Sequence, residues 1–293
     1  MSRTTVRSFL DRHGLLARKD LGQNFLVEDH VAERLADLAG VEAGGNVIEI
    51  GTGTGVLTAA LAARAARVVT LDIDAGLVRA LRAERVFPEH VELLHQDVLK
   101  ADLAGIAADF DGPVRLVSNL PYSISGPVLR RLLDLRDVLA DWSVMVQREV
   151  GLRLLASPGT RSYGSLTVLH RLCVRPERLM DLEPGGFFPT PRVRSSFIRL
   201  FPLAPSIVPP GGLERVERVV RAAFRSRRKT LKNALRSGGL SPAPSEDAVH
   251  RALEALGLDE RARGETLVPE QFLELTRALA AGSASGRRFR APE

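Results

Sequence analysis

The segment Asn46-Val-Ile-Glu-Ile-Gly-Thr-Gly-Thr-Gly55 decides the fold, because it joins a short apolar run to three alternating glycines and a helical pattern. Val47–Ile50 has the composition of a buried strand, and the apolar residues of Val56–Leu61 recur at helical spacing. Glycines between a strand and a helix allow a tight turn and a close approach to a ligand, beside the free N–H groups of the first helical turn. The segment therefore predicts the first strand, loop and helix of an α/β domain that binds a ligand at the loop.

Strand and helix patterns alternate from Asn46 to about Leu200. Further β-rich runs occupy residues 68–71, 91–94, 114–117 and 144–146, and a second helical pattern occupies residues 75–85. Alternating strands and helices form a mostly parallel sheet that is covered on both faces, with ligands at the carboxyl ends of the strands. The fold class is therefore α/β, with a Rossmann-like domain.

A proline-rich break ends this pattern. Residues 201–212 contain four prolines in twelve positions and are typical of a linker. The patterns beyond it are helical only, at residues 213–224, 229–235, 246–256 and 269–280. We predict a cofactor-binding domain with an N-terminal extension at 1–203, a small all-helical domain at 204–281, and a basic, disordered tail at 282–293.

The composition is that of an ordinary globular protein with a basic balance. Of the 293 residues, 45% are hydrophobic and 26% are charged, and the formal net charge of +6 favours a polyanionic partner. Cys173, the single cysteine, lies in the strand-like run Leu166–Val174 and is predicted to be a core residue in a reducing compartment. No apolar run is long enough for a secretory signal or a membrane span. We expect a cytoplasmic protein without a membrane partner.

Two acidic residues end the strands that follow the glycine loop. Asp72 closes the second strand 21 residues after Gly51, where an acidic side chain binds the hydroxyls of an adenosine ribose. Asp97 ends the third strand, where a carboxylate can accept a hydrogen bond from an adenine amino group. Either acid could instead cap a helix or a turn, and a dinucleotide dehydrogenase would share the first strand and first acid. Together with Gly51 and Gly53, the two acids favour an adenosyl cofactor.

Asn119-Leu120-Pro121-Tyr122 follows the fourth strand, at the edge of the sheet where the cofactor should lie. The amino nitrogen of adenine is a poor nucleophile, because its lone pair is delocalised into the ring. The Asn119 side-chain oxygen and the Leu120 main-chain carbonyl could accept both amino hydrogens and direct the lone pair at a methyl donor. Pro121 stiffens the loop, and Tyr122 could stack on the base. The alternative is a proline turn whose Asn caps a helix near Ser125.

Two further aromatic residues, Phe187 and Phe188, lie in the proline-rich segment Pro184–Pro191. Both rings could anchor a core. We predict that role for Phe188, and we expect Phe187 to cover the other face of the target base.

A basic run places five positive charges within the eight residues 225–232. These predicted RNA-binding residues are Arg225, Arg227, Arg228, Lys229 and Lys232. The alternative is a solvated helix face. Contact with phosphates would instead release counterions and make binding sensitive to salt.

Several motifs resemble, in the same order, the KsgA/RsmA family of ribosomal RNA adenine dimethyltransferases, which is related to the Erm resistance methyltransferases. The matching segments are 22–26, 49–55, 96–97, 119–122, 147–150, 163–164, 187–193 and 224–235. The resemblance implies a class I methyltransferase domain at 1–203 and an RNA-binding domain at 204–281. It also implies S-adenosylmethionine as the methyl donor, with no metal, bound by Asn24, Leu26, Gly51, Asp72, Asp97 and Asn119.

The same resemblance implies a substrate and several local differences. Family members dimethylate two adjacent adenines in a hairpin loop near the 3′ end of 16S ribosomal RNA, and we expect a monomer that acts on a pre-30S particle. Asp72 replaces a usual Glu, and Thr52 replaces a common Pro. Asp20-Leu21 replaces a basic residue and Phe, and Arg194 stands where an acid is usual.

Three other functions remain open from the sequence. An Erm-like enzyme would perform the same chemistry on 23S ribosomal RNA, although the helical domain is more similar to KsgA. A DNA adenine methyltransferase would usually carry an Asp-Pro-Pro-Tyr loop in place of Asn119–Tyr122. A non-catalytic ribosome assembly factor could keep the fold, although the intact Asn119 and cofactor motifs favour an enzyme.

Overall fold

The computed structural model describes residues 3–209 and 211–285 of the chain. The helices are α1 Arg3–Arg12, α2 Asp29–Leu38, α3 Val56–Ala62, α4 Ala75–Glu84, α5 Leu103–Ala108, α6 Ser125–Leu132, α7 Arg148–Leu155, α8 Ser165–Arg171, α9 Leu213–Phe224, α10 Leu231–Ser237, α11 Glu246–Ala255 and α12 Pro269–Ser285. The strands are β1 Phe25–Leu26, β2 Asn46–Ile50, β3 Arg67–Asp72, β4 Val91–His95, β5 Val114–Asn119, β6 Leu139–Gln147, β7 Val174–Leu182, β8 Phe187–Phe188 and β9 Ser195–Pro202.

A seven-stranded sheet with the order β4-β3-β2-β5-β6-β9-β7 forms the centre of the first domain. The strands from β4 to β6 are parallel, and β9 runs antiparallel to both β6 and β7. The five strands predicted between residues 47 and 146 are present, and the predicted mostly parallel sheet is confirmed. The strand β2 is buried along almost its whole length, which explains why three of its five residues are Val or Ile.

The register of the central strands brings their carboxyl ends to one edge. Ile50 at the end of β2 pairs with Leu71, and Asn119 at the end of β5 pairs with Met145 on β6. The glycine loop, Asp72 and the Asn119 segment therefore begin at the same edge of the sheet, as expected for a ligand site in an α/β fold.

A small ribbon joins the N-terminal segment to the proline-rich loop. β1 and β8 pair antiparallel, with Phe25 opposite Phe188 and Leu26 opposite Phe187. These partners are far apart in sequence, and each strand has only two residues, so local patterns do not reveal the pairing.

The chain divides into two compact units. One contains the described residues up to Gly151 together with Val174–Pro202, and the other contains Leu152–Cys173 and the described residues from Leu203 onward. The division near residue 203 agrees with the predicted linker, but Leu152–Cys173 groups with the helical unit because α8 packs against α9 and α12. The strand prediction for Leu166–Val174 is wrong over Leu166–Cys173, because Leu166–Arg171 lies in α8 and β7 begins only at Val174, whereas Cys173 is buried as predicted. A short apolar run cannot distinguish the helical repeat of about 3.6 residues from the strand repeat of about two residues.

The last helix extends beyond the predicted helical domain. α12 continues to Ser285, so Gly282–Ser285 are helical and not part of a disordered tail, whereas 286–293 lie outside the described residues. Among the helices that the structure describes, none combines the length and apolar character needed to cross a membrane.

Candidate cofactor and methyl-transfer site

One cavity at the carboxyl edge of the sheet brings most of the predicted site residues together. The predicted residues that line it are Asn24, Leu26, Gly51, Gly53, Asp72, Asp97, Asn119, Leu120 and Pro121. They come from the N-terminal segment and from the ends of four strands. The α/β topology predicts that the strand ends meet at one edge, but it does not predict the approach of Asn24 and Leu26.

The glycine loop has a backbone conformation that favours glycine. Gly51, Gly53 and Gly55 have φ angles of +82°, +57° and +85°. A Cβ atom on Gly53 would approach Phe25 Cδ1 to 3.0 Å, and one on Gly51 would lie 3.6 Å from the Asn119 main-chain oxygen. The loop thus packs closely against β1 and the end of β5, and side chains here would be strained.

Asp72 binds the glycine loop directly. Its Oδ2 accepts a hydrogen bond from the Gly53 N–H at 2.8 Å, and its Oδ1 accepts one from the Asp74 N–H at 2.8 Å. Burial raises the pKa of Asp72, and the two main-chain donors oppose that shift. Each carboxylate oxygen has a further lone pair, so Asp72 can hold the loop and still accept ribose hydroxyls.

Asp97 has both a turn-forming and a cavity-lining position. Its Oδ1 accepts a hydrogen bond from the Leu99 N–H at 2.9 Å, as the turn alternative predicted for this residue. Asp97 also lines the cavity, where the apolar residues Ile73 and Val98 lie with it. An acid beside apolar walls suits adenine, which has flat apolar faces and a polar edge.

Asn119 is held by the N-terminal segment. Its Nδ2 donates a hydrogen bond to the Asn24 main-chain oxygen at 2.9 Å. Because a carbonyl oxygen can only accept, the amide nitrogen must face Asn24, and Oδ1 remains as the acceptor for another ligand. The side chain of Asn24 in turn donates to the Gly22 oxygen at 3.1 Å.

The rest of the Asn119 segment is anchored to β6 and β9. The Leu120 N–H donates to the Met145 oxygen at 3.2 Å, and Pro121 accepts from the Ile124 N–H at 3.2 Å. Tyr122 is half-buried, with its hydroxyl 2.6 Å from Ser195 Oγ, and burial raises the pKa of its phenol. Tyr122 is not among the residues that line the cavity, so it lies beside the cofactor space and not within it.

Phe187 does not have the position that we predicted. It is 0% exposed and packs in the hydrophobic core, whereas Phe188 is only partly buried. The buried position of Phe187 contradicts its assignment to the target base, whereas Phe188 packs against the hydrophobic core as predicted. Adjacent strand residues point to opposite faces, and both faces of the β1–β8 ribbon are covered, since the β1 partners Phe25 and Leu26 are also buried.

The sequence prediction missed most of one wall of the cavity. Residues 20–23 line it beside Asn24. Gln23 holds this segment, because its Nε2 donates to Asp74 Oδ2 at 2.9 Å and its Oε1 accepts from the Arg18 N–H at 2.8 Å. Ser123 Oγ also donates to the Leu21 oxygen at 3.1 Å.

The predicted RNA-binding residues lie in the helical unit, and two of them pair with acidic side chains. Arg227 Nη2 is 3.0 Å from Glu265 Oε2 and donates to the main-chain oxygens of Thr160 at 3.2 Å and Tyr163 at 3.3 Å. Lys232 Nζ is 2.7 Å from Glu246 Oε1. These contacts give Arg227 a structural role and weaken its assignment as an RNA-binding residue.

The other three basic side chains of the run are more accessible to a phosphate ligand. Arg225, Arg228 and Lys229 are exposed, and none has an acidic partner within residues 3–209 and 211–285. Lys229 Nζ donates to Ser237 Oγ at 3.1 Å, which leaves its charge uncompensated.

Within the part of the chain that the structure describes, no group of three or more His, Cys, Asp or Glu side chains could hold a metal ion.

Comparison with known proteins identifies the family. Residues 14–280 match the family model of ribosomal RNA adenine dimethylase. A ribosomal RNA small subunit methyltransferase A from Geobacter metallireducens is 42% identical over 270 residues, which cover 92% of this chain and 97% of the relative. The protein of the same name from Geobacillus thermodenitrificans is 39% identical over 280 residues, with 94% of each chain covered.

Solved structures show the same fold. A dimethyladenosine transferase from Plasmodium falciparum has a TM-score of 0.73 and 23% identity, covering 88% of this chain and 98% of that protein. The 23S rRNA methyltransferase ErmE has a TM-score of 0.63 and 26% identity, covering 88% of this chain and 100% of that protein. These findings confirm the resemblance drawn from the motifs. The chain belongs to the ribosomal RNA adenine dimethylase family and is an S-adenosylmethionine-dependent methyltransferase of ribosomal RNA.

Proposed function

We propose that this enzyme dimethylates the N6 amino groups of two adjacent adenines in the 3′-terminal hairpin loop of 16S ribosomal RNA. The names of relatives that match nearly the whole chain support the small subunit as the target. The observation that carries the chemistry is the Asn119–Asn24 hydrogen bond, because it leaves the Asn119 oxygen as the acceptor at the cavity.

The residues present fit S-adenosylmethionine. The glycine loop lets a ligand approach the main chain, Asp72 and Asp97 offer acceptors at two points of the cavity, and apolar residues lie with them. We assign cofactor binding to Asn24, Leu26, Gly51, Gly53, Asp72, Asp97 and Asn119. When bound, this group supplies an electrophilic methyl group on a sulfonium sulfur.

The Asn119 segment would prepare the amino group of adenine. Asn119 Oδ1 and the Leu120 main-chain oxygen accept its two hydrogens, which localises the nitrogen lone pair. Pro121 contributes no competing N–H, and Tyr122 contributes an aromatic face near the entrance. The methylated nitrogen becomes acidic and loses its proton to water, so no strong general base is needed.

The helical domain at 204–281 would bind the RNA through phosphate contacts. Arg225, Arg228 and Lys229 carry this role in our proposal, because their charges have no acidic partner among the described residues. We propose that the enzyme acts as a monomer on a pre-30S particle. Since ribosomal subunits are assembled in the cytoplasm, we place the reaction there.

The test is methylation of immature small subunits that lack the modification. These subunits, 23S ribosomal RNA and an adenine-containing DNA oligonucleotide would each be incubated with labelled S-adenosylmethionine, and the modified nucleotides would be mapped. We expect two adjacent dimethylated adenines in the 16S hairpin loop. Methylation of 23S RNA alone would instead support an Erm-like enzyme, and absence of methylation from every substrate would support a non-catalytic assembly factor.

A further inference from the structure

Four buried oxygen-bearing side chains form one chain of hydrogen bonds next to the glycine loop. Thr58 Oγ1 donates to Glu49 Oε2 at 2.6 Å, and Thr70 Oγ1 donates to the same oxygen at 2.7 Å. Thr70 Oγ1 also lies 2.7 Å from Thr52 Oγ1. Because the single Thr70 proton is given to Glu49, Thr70 accepts the proton of Thr52.

Stability of the core does not explain these residues. Glu49, Thr58 and Thr70 are 0% exposed, and Thr52 is 4% exposed. Glu49 Oε1 has no hydrogen-bond partner, and no cation pairs with Glu49 among the described residues. A buried carboxyl group under these conditions costs free energy that an apolar side chain would avoid. The neighbours of Glu49 in β2 are Val and Ile, so an apolar residue would suit the strand.

The hydrogen bonds lead to the loop that lines the cofactor cavity. Thr52 lies between Gly51 and Gly53, which have no side chains to restrain their positive φ angles. Three bonds to β3 restrain the loop instead: the Gly51 N–H donates to the Leu71 main-chain oxygen at 2.7 Å, the Thr52 hydroxyl donates to Thr70, and the Gly53 N–H donates to Asp72 at 2.8 Å. Thr70 and Asp72 are two positions apart on β3 and so lie on the same face of the strand.

We propose that Thr70 is a positioning residue for the cofactor, which holds the glycine loop in its binding conformation through Thr52 and Glu49. The proposal rests on the assignment of the cavity to S-adenosylmethionine and is independent of the RNA target. It also gives Thr52 a role. The sequence marks this residue only as a replacement for a common proline, whereas the structure gives its hydroxyl a partner.

The proposal predicts a specific kinetic pattern. A loop that spends only a fraction of its time in the binding conformation raises the apparent Kd by the reciprocal of that fraction. Loss of the Thr70 hydroxyl should therefore raise the Kd and KM for the cofactor, by about tenfold if the fraction falls to about one tenth. The turnover number at saturating cofactor should change by less than about twofold, because bound cofactor selects the binding conformation.

The test compares three variants that each replace a hydroxyl with a methyl group. Thr70→Val and Thr52→Val break the hydrogen bond between Thr52 and Thr70. Thr58→Val is the matched control, because Thr58 is equally buried and binds the same carboxyl oxygen but has no bond to Thr52. The Kd of S-adenosylhomocysteine would be measured by titration calorimetry, together with the melting temperature of each variant.

We expect a weakening of about tenfold in Thr70→Val and Thr52→Val and less than about twofold in Thr58→Val. Thr52→Val and Thr58→Val each lose one hydrogen bond and should show similar falls in melting temperature, with a larger fall in Thr70→Val, which loses two. Thr52→Val decides the question if Thr70→Val does not fold. Equal weakening in Thr58→Val, or a wild-type Kd in the two loop variants, would overturn the proposal. Absence of RNA methylation by the wild-type enzyme would contradict the proposed target and leave these binding results unaffected.

Discussion

The Nδ2 atom of Asn119 donates a hydrogen bond to the main-chain oxygen of Asn24 at 2.9 Å, although the two residues are 95 positions apart. This bond joins the N-terminal wall of the cavity to the residue that we assign to the adenine amino group. It also fixes which side-chain atom of Asn119 can accept a hydrogen from substrate. We therefore infer that cofactor binding and the orientation of the amino group are coupled through this contact.

Replacement of Asn119 by Ala should abolish most methyl transfer. The variant loses the acceptor for an amino hydrogen, and we expect kcat at saturating cofactor to fall about a hundredfold or more, as for loss of a preorganised polar group elsewhere. Asn24→Ala is a useful control, since its main-chain oxygen remains and the bond to Asn119 can persist. Its kcat should fall much less. Substantial activity of Asn119→Ala on immature small subunits would refute the mechanism.

Glu49 should make the stability of the protein depend on pH. Burial raises its pKa to about 8 from an ordinary value of 4.5, although hydrogen bonds from Thr58 and Thr70 oppose the shift. Between pH 4.5 and about pH 8, the Glu49 carboxyl group is ionised in the unfolded chain and protonated in the folded chain. The contribution of Glu49 to stability therefore falls as pH rises from about 4.5 to about 8, by up to about 1.4 kcal/mol per pH unit.

Glu49→Gln isolates this contribution, because Gln does not titrate and keeps an oxygen that can accept from Thr58 and Thr70. We expect the stability of the variant relative to wild type to increase with pH across this window and to level off outside it. Chemical denaturation at several pH values measures the difference. A constant difference from pH 5 to pH 8 would show that Glu49 is already ionised in the folded protein.

Alanine variants of Arg227 and Arg228 should distinguish a structural role from an RNA-binding role. Arg227→Ala loses the Glu265 ion pair and the contacts with the Thr160 and Tyr163 carbonyls, so the free energy of unfolding should fall by about 1 to 2 kcal/mol. Arg228→Ala should leave stability within about 0.5 kcal/mol of wild type. We expect it to weaken RNA binding and to reduce the salt dependence of the affinity. Unchanged RNA affinity in Arg228→Ala would exclude this residue from the interface.

Some parts of the site follow from local sequence. Gly51 and Gly53 lie at the junction of a strand and a helix, and Asp72 ends the adjacent strand, so the α/β topology places them at one edge of the sheet. Parallel strands fix this geometry without knowledge of any side-chain contact. The predicted strands and the cofactor loop could be inferred on this basis, whereas the family was inferred from the resemblance of several motifs in the same order.

Other parts depend on contacts between distant segments. Thr70 gives no sequence sign of its bond to Thr52, because both are ordinary residues of a strand and a loop. Arg227 appears in the sequence as one cation among five, and only the folded chain brings the carbonyls of Thr160 and Tyr163 to it. The sequence identifies candidate charges, but the fold determines which of them already have partners.

Phe187 and Phe188 provide the last test, since the two adjacent phenylalanines of β8 differ in how deeply they are buried. Phe187 is 0% exposed, so Phe187→Ala should lower the free energy of unfolding by about 3 to 5 kcal/mol through loss of contacts and formation of a cavity. Phe188→Ala is the matched control, and loss of its partly exposed ring should lower the free energy of unfolding clearly less. Denaturant unfolding measures both variants.

Phe187→Leu keeps much of the buried volume and so allows activity to be measured on folded protein. If Phe187 is a core residue, kcat of Phe187→Leu should stay within about threefold of wild type, because catalysis changes only through slight shifts of packing. A large loss of kcat at wild-type stability would instead restore Phe187 as a partner of the target base and require the β1–β8 ribbon to expose it when RNA binds.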